Sequence, residues 1–395
     1  MLGSLKRRSI ESLRLLSHRI PARLRTFLLA ISWYLSGAPR VQQQRPGVTG
    51  GSTRLLIAPA NFAGQGYAWS RAVRAQGVAS ICVEVGSGTL AMPTDYRVPA
   101  AAVRGDRRWA REQFAWVSEN FTHVLAEASR PLFGPLFDRN PLAEIRSLQQ
   151  AGLTVAILAH GTDIRVPSAH AAREPWSPFH TDIGDLALRE LRARAGLGFF
   201  SDFDGTRFVS TPDLLEDLPQ ATWCPVVVDY DRWADLEPVP EQASVLHVPS
   251  KASIKGSELV DPLLRELAQA GTIQYQRAAG VPAADMPGLV SQADIVIDQF
   301  RIGNYGVAAC EAMAAGRVVV SYVRTSVRDS VRELTGFDLP IVQASAADVA
   351  NVVTELVHDP GRCAEIAAAG QRFVRAVHDG RWSSRVLMSW MQSQG

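Results

Sequence analysis

Only three of the chain's 41 basic residues are lysines, and two of them, Lys251 and Lys255, stand four apart in Pro249-Ser-Lys-Ala-Ser-Ile-Lys-Gly256. A compact ammonium beside a glycine and a helix start suits a diphosphate. A second anion site is spelled by Gly303-Asn304-Tyr305-Gly306, which lies between the β-branched run 295–297 and the helix-favouring stretch 307–315. A strand, a glycine turn and a helix N-terminus aim free backbone N–H groups and the helix dipole at one spot. Glu311 falls about two turns into that helix, within reach of a polar ligand lying over its start.

Two further places could face such a ligand. Residues 153–159 read as a buried strand ending in His160-Gly161-Thr162-Asp163-Ile164-Arg165. A histidine at a parallel strand's carboxyl tip is placed either for ligand contact or to be satisfied by nearby backbone. Gly64-Gln65-Gly66 follows the strand expected from residue 54 to 58 and serves as a tight turn or as an acceptor- or phosphate-side loop. It is not GxGxxG, which argues against a dinucleotide cofactor. Phe200-Ser-Asp202-Phe-Asp204-Gly-Thr206 matches the nucleophile loop of haloacid-dehalogenase-type phosphatases. Such a loop should follow its domain's first strand, and Asp204-Gly205 is also a common turn.

These residues need elements to hold them. Strand–loop–helix–strand patterns recur from residue 54 onward, the signature of parallel sheets covered by helices. The segment 235–242, with Pro238 and Pro240, is the most linker-like internal stretch. The expected domains are therefore 53–235 and 243–378, with a C-terminal helix over 379–395. Residues 1–52 form a basic extension and linker, with nine Lys/Arg in the first fifty residues against Glu11 alone. Its run 27–35 is about half the length a bilayer span requires. Residues 4–36 then suit either a surface-lying membrane helix or a loosely docked extension.

The totals exclude several classes. Apolar content of 47% and 20% charge are globular values, and a net charge of +2 demands no nucleic acid. Cys82, Cys224, Cys310 and Cys363 form no CxxC pair, so a reduced, cytoplasmic protein without a cysteine-based metal site is expected.

Tyr305-Gly-Val-Ala-Ala-Cys-Glu-Ala-Met-Ala-Ala-Gly-Arg-Val-Val-Val resembles the Phe-Gly-x4-Glu-Ala-Met-Ala-x-Gly-x-Pro-Val signature of retaining GT-B glycosyltransferases of the family four type. His160-Gly161, Thr211-Pro212-Asp213-Leu214 and Lys255-Gly256 add to the resemblance, which spans residues 54 to 380. It implies an α/β fold of two Rossmann-like parallel-sheet domains facing across a cleft, with a C-terminal helix returning to the first. The implied activity is sugar transfer from a UDP- or GDP-linked donor to a glycan or lipid-linked acceptor, with retention and without a metal or cofactor.

Residue by residue, the resemblance implies Glu311 on the donor ribose and Lys255 on the diphosphate. Asn304, Tyr305 and Gly306 would supply backbone N–H groups, and Gly280 and Val281 would line the base. His160 would lie near the reacting carbon, with Asp163 and Arg165 beside it, and Gly64, Gln65 and Gly66 would face the phosphates across the cleft. There are two departures. The motif's first glutamate is Gly303 here, which leaves Asp298 or Gln299 as substitutes, and the usual arginine is Ser250, beside Lys251. These departures keep open a sugar-nucleotide-binding protein without catalysis. The basic N-terminus suggests a peripheral position on the inner face of the cell membrane.

Overall fold

The computed structural model describes residues 20–35, 44–86, 92–181, 184–234 and 243–393. Two all-parallel sheets organise them. The first has seven strands in the order β3-β2-β1-β4-β5-β6-β7. These are β1 Arg54–Ala58, β2 Ala79–Val85, β3 Tyr96–Val98, β4 His123–Glu127, β5 Thr154–Ala159, β6 Arg207–Val209 and β7 Thr222–Trp223. The second has five in the order β12-β11-β10-β8-β9. They are β8 Ser244–His247, β9 Gln274–Arg277, β10 Ile295–Ile297, β11 Val318–Ser321 and β12 Val342–Gln343.

The central strands are buried on both faces, as strands covered by helices on two sides must be. Leu55, Leu56 and Ile57 of β1, and Val318, Val319 and Val320 of β11, are each at most 2% exposed. Helix limits follow local chemistry. Asn140 accepts from the Leu142 and Ala143 N–H groups and starts the Pro141–Gln150 helix, as its Asn-Pro sequence predicts. Asp106 does the same for Arg107–Asn120 through Arg108 and Trp109.

The Arg381–Ser393 helix returns to the first sheet. Its Leu387, Trp390 and Met391 pack with Leu55, Ile57, Trp69 and Leu125 in one cluster. His378 fixes the crossing: its Nδ1–H donates to the Val226 carbonyl at 2.8 Å, and its Nε2 accepts from the Tyr305 hydroxyl at 3.2 Å. Burial lowers its pKa to about 4, so the imidazole is neutral.

One expectation is corrected. Asp202 is the last residue of a 17-residue helix, Leu186–Asp202. No strand precedes Asp202 and Asp204, so they do not form a phosphatase nucleophile loop. The Asp-Gly turn simply leads into β6. Of the N-terminal extension, residues 22–35 form a helix; the earlier part of the 4–36 reading, and the linker at 235–242, lie outside the described residues.

Candidate functional site

In the second sheet β10 lies between β8 and β11, with Ile297 opposite His247. The carboxyl tips of β8 and β10 therefore deliver their following loops side by side. Lys251 and the short Ala252–Lys255 helix come from β8, and Asp298 comes from β10. Lys255 Nζ binds Asp298 Oδ1 at 2.5 Å, while Asp298 Oδ2 is buried without a partner. Asp298 thus neutralises Lys255 rather than standing free. His247 braces the base of this loop through the Ile297 carbonyl and Ser257 Oγ, each at 2.8 Å. Burial keeps its pKa below the usual imidazole range.

The Gly303–Gly306 loop is held by Gln299. The Gln299 Oε1 accepts from the Ile302 N–H at 2.9 Å, and its Nε2 donates to the Asn304 and Tyr322 carbonyls. Gln299 is therefore spent on backbone. Gly303 has a φ of +75°, and a Cβ there would lie 2.6 Å from Arg324 Cγ and 3.0 Å from Glu174 Oε2. The room a longer side chain would need is occupied by an arginine of its own domain and a glutamate of the other. Asn304 Nδ2 donates to Asp213 Oδ1 of the first domain at 3.0 Å. The Tyr305 side chain is only 1% exposed and packs on Phe373 and His378, so it is a core anchor whose backbone alone faces the loop. Gly306 precedes the Val307–Ala314 helix without a side-chain cap, and nothing lies within 4 Å of where its Cβ would be.

Glu311 is partly exposed on that helix. Burial pushes its carboxyl up to about 7, and Arg232 pulls it partly back. It lines a cleft of about 570 Å³ together with Val307 and Ala283 and, from the first domain, Gly64, Tyr230 and Arg232. Gly280 has a φ of +68° with open space around it, close in sequence to Ala283 of that wall.

Across the cleft, Gly64 (φ +75°) caps the Gln65–Arg74 helix. Gln65 lines the same cleft, but its amide is engaged: it exchanges two hydrogen bonds with the Val227 backbone, at 3.0 and 2.6 Å. Gly66 is a packing glycine, because a Cβ there would come within 2.8 Å of Glu127 Oε2. Glu127, at the tip of β4, is fully buried and binds His160 Nε2 at 3.0 Å. His160 is further held between Trp69, stacked at 5.7 Å, and Phe62, edge-on at 5.1 Å. Asp163 accepts the His160 backbone N–H at 2.9 Å, and burial raises its carboxyl.

Arg165 pairs with Asp213, which also accepts from Thr211 and Asn304. Burial raises the Asp213 carboxyl, but the Arg165 charge and these hydrogen bonds outweigh it and leave it below the usual range. A second cavity of about 190 Å³ lies between Arg165, Thr162 and Arg189 on one side and Lys251, Lys255 and Asn304 on the other. Of the residues singled out in sequence, Gly64, Gln65 and Glu311 line the first cavity and Arg165, Lys251, Lys255, Gln299 and Asn304 the second, whereas His160, Asp163, Gly280 and Val281 line neither.

Sequence reasoning missed Glu127, Glu174, Arg189, His170 and Arg324. Glu127 carried a signal, as the one acid closing the apolar strand β4. Glu174 and Arg324 carried none, since they meet only because the domains do. His170 is likewise a bridge: its Nε2–H donates to the Ile302 carbonyl at 3.2 Å, and its Nδ1 accepts from Ser177 at 2.8 Å. Burial, with the charge of Arg165, lowers its pKa to about 3.

No protein-family model and no curated protein matches the chain by sequence. Solved structures do match by shape. Sucrose-phosphate synthase from Thermosynechococcus elongatus aligns with a TM-score of 0.55 at 13% identity, over 87% of this chain and 98% of that one. HepE from Anabaena, solved with UDP and glucose, aligns at 0.55 and 12% identity, over 86% and 99%. An alpha-glucosyltransferase in complex with UDP and DNA aligns at 0.56 and 12% identity, over 87% and 100%. These are glycosyltransferases of the GT-B type, two parallel-sheet domains facing across a cleft, and that is the fold of this chain.

Proposed function

We propose that the chain is a glycosyltransferase that moves a sugar from a UDP- or GDP-linked donor to a glycan or lipid-linked acceptor. The observation that carries this reading is Glu311. Among the described residues it is a carboxylate without a hydrogen-bond partner, in the second turn of the helix that opens at Gly306, on the second-domain wall of a GT-B cleft. An ionised carboxylate there accepts from two adjacent ribose hydroxyls. The fold neighbours solved with UDP support a nucleotide donor.

Chemistry follows from charge. Breaking the bond from the anomeric carbon to the diphosphate builds negative charge on the leaving group. Lys255, Lys251 and the N-terminus of the Val307–Ala314 helix would stabilise that charge, at a typical value of several kcal/mol per well-placed cation, so the reading requires no metal. Lys255 must then exchange Asp298 for phosphate oxygen as the donor enters. His160, fixed by Glu127, would lie by the reacting carbon, and the leaving phosphate would take the acceptor's proton in a same-face attack that retains configuration.

Lys255→Ala and Glu311→Ala should each lower donor turnover at least tenfold in a product assay with UDP- and GDP-sugars. Wild-type rates in both would defeat the reading. A second reading is sugar-nucleotide binding without transfer. The Glu174 and Arg324 side chains packed at Gly303, where relatives of this signature carry a glutamate, favour it. Calorimetric binding of a sugar nucleotide with no product formed would select that second reading.

A further inference from the structure

The Ala22–Leu35 helix carries six of the ten exposed large apolar side chains found among the described residues: Leu24, Phe27, Leu28, Ile31, Tyr34 and Leu35. Their spacing of three, four, seven, ten and eleven residues from Leu24 puts them on one face. Each is between 39% and 79% exposed. The opposite face is clamped to the protein. Thr26 is fully buried, and at Gly105, in the Ala100–Gly105 helix, a Cβ would lie 2.6 Å from Trp33 Cβ and 3.2 Å from the Leu29 carbonyl. The helix is therefore docked as a rigid rib of roughly 21 Å, with its apolar stripe turned outward.

Basic groups flank the stripe. The Arg23 side chain is 91% exposed and pairs with Asp138 at 3.3 Å. Arg25, Arg104 and Arg139 are close enough that, after burial, the first two charges lower the Arg139 guanidinium. In the sequence nine Lys/Arg face one acid over residues 1–50. An apolar stripe edged by arginines, one of them 91% exposed, is complementary to a bilayer that carries anionic headgroups. A second copy of the chain meeting it about a two-fold axis would set these like charges against each other. No helix among the described residues is long and apolar enough to cross a membrane, so the contact is in the interface plane.

The geometry points to a membrane-docking face: the Ala22–Leu35 helix seats the protein on an anionic lipid bilayer through its outward apolar stripe. The Ala100–Gly105 helix that carries it follows directly on the carboxyl end of β3. The bilayer then lies at the β3 edge of the first sheet. This inference stands on the helix and its charges and does not require that the protein transfer a sugar.

The test is sedimentation of the full chain with vesicles of phosphatidylcholine alone or of phosphatidylcholine and phosphatidylglycerol in equal parts. The wild-type chain is expected to bind the anionic vesicles, and to bind neutral ones at least tenfold more weakly. The double variant Phe27→Glu/Ile31→Glu is expected to lose binding to the anionic vesicles at least tenfold. Because both side chains are exposed, its melting temperature should match the wild type's, and this control separates lost docking from lost folding. Equal binding to both vesicle types, or wild-type binding by the double variant, would overturn the inference. So would a wild-type dimer in solution that the double variant dissolves, since a second copy would then cover the stripe.

Discussion

Glu311 is the residue whose ionisation should be visible in function. Its carboxyl is raised to about 7 by burial, against an ordinary value near 4.3. Ribose hydroxyls donate hydrogen bonds, so the donor prefers the ionised form. The raised value means that the proton is bound already near neutral pH, and the donor must compete with it as pH falls through 7. Affinity for UDP should be flat above that pH and drop about tenfold for each unit below it. In Glu311→Gln, which cannot ionise, affinity should be weak and independent of pH from 5 to 8. Titration calorimetry across that range checks both, and a pH-independent wild type would remove Glu311 from the donor site.

At the same scale the sequence was legible where a residue's role is set by its neighbours along the chain. Glu311 and Lys255 line the two cavities because strand, turn and helix follow one another in order. Tyr305, expected to offer only its backbone N–H, has a side chain that anchors the core, and Gln65, in a stretch that reads as a ligand loop, closes its amide on the Val227 backbone 162 residues away. Such a partner leaves no trace in local spacing. Gly303 was flagged as a departure from its motif, but its reason is tertiary: Arg324 and Glu174 fill the space.

Among elements, the Arg381–Ser393 helix has the clearest energetic role. Sequence reading expected a terminal helix, and the parallel-sheet pattern gave the strands that lie beneath it. That it covers the first sheet, rather than the second that precedes it in the chain, follows from its Leu387, Trp390 and Met391 matching the apolar face of β1 and β4. Trp390 is 4% exposed and packs edge-on against His123 at 5.5 Å and Phe208 at 6.1 Å. Trp390→Ala should therefore cost about 3–5 kcal/mol, enough to lower the melting temperature by several degrees in a scanning calorimeter. A loss below one kcal/mol would show the helix to be dispensable. The Leu186–Asp202 helix was the main element not foreseen. It buries Leu188, Ala193, Gly196, Phe199 and Phe200 on one side, but Leu191 and Ala195 on the opposite side are apolar and exposed, so its hydropathy carries no clear stripe.

At the scale of the molecule the two domains share one apolar cluster, and beside it runs a line of polar contacts. Arg324 Nη1 binds Glu216 at 2.6 Å, its Nε stands 3.8 Å from Glu174, and Ser326 Oγ donates to Glu216 at 2.7 Å. Tyr322 donates to Glu174 at 3.3 Å, and Asn304 and His170 add the contacts described above. Glu174 is fully buried by side chain and Arg324 is 10% exposed, so their charges depend on each other. Arg324 nevertheless leaves Nε and Nη2 buried without a hydrogen-bond acceptor. Such an interface is strong while closed, and opening it returns these groups to water. Inter-domain contacts of this polar kind permit relative motion, and the Gly303–Gly306 loop rides on the seam through the Arg324 N–H, which donates to the Gly303 carbonyl at 3.0 Å. Removing one partner of a buried pair costs about 3 kcal/mol, and here that cost falls on the closed state alone. Arg324→Ala should therefore shift the unliganded chain toward an open form, seen as a larger radius of gyration in small-angle scattering, and a bound sugar nucleotide should restore the compact value. Glu174→Gln, which keeps the shape and loses the charge, should open it in the same direction but less. If both variants scatter like the wild type, the ion pairs do not hold the cleft, and the buried apolar core that runs between the domains must do so instead.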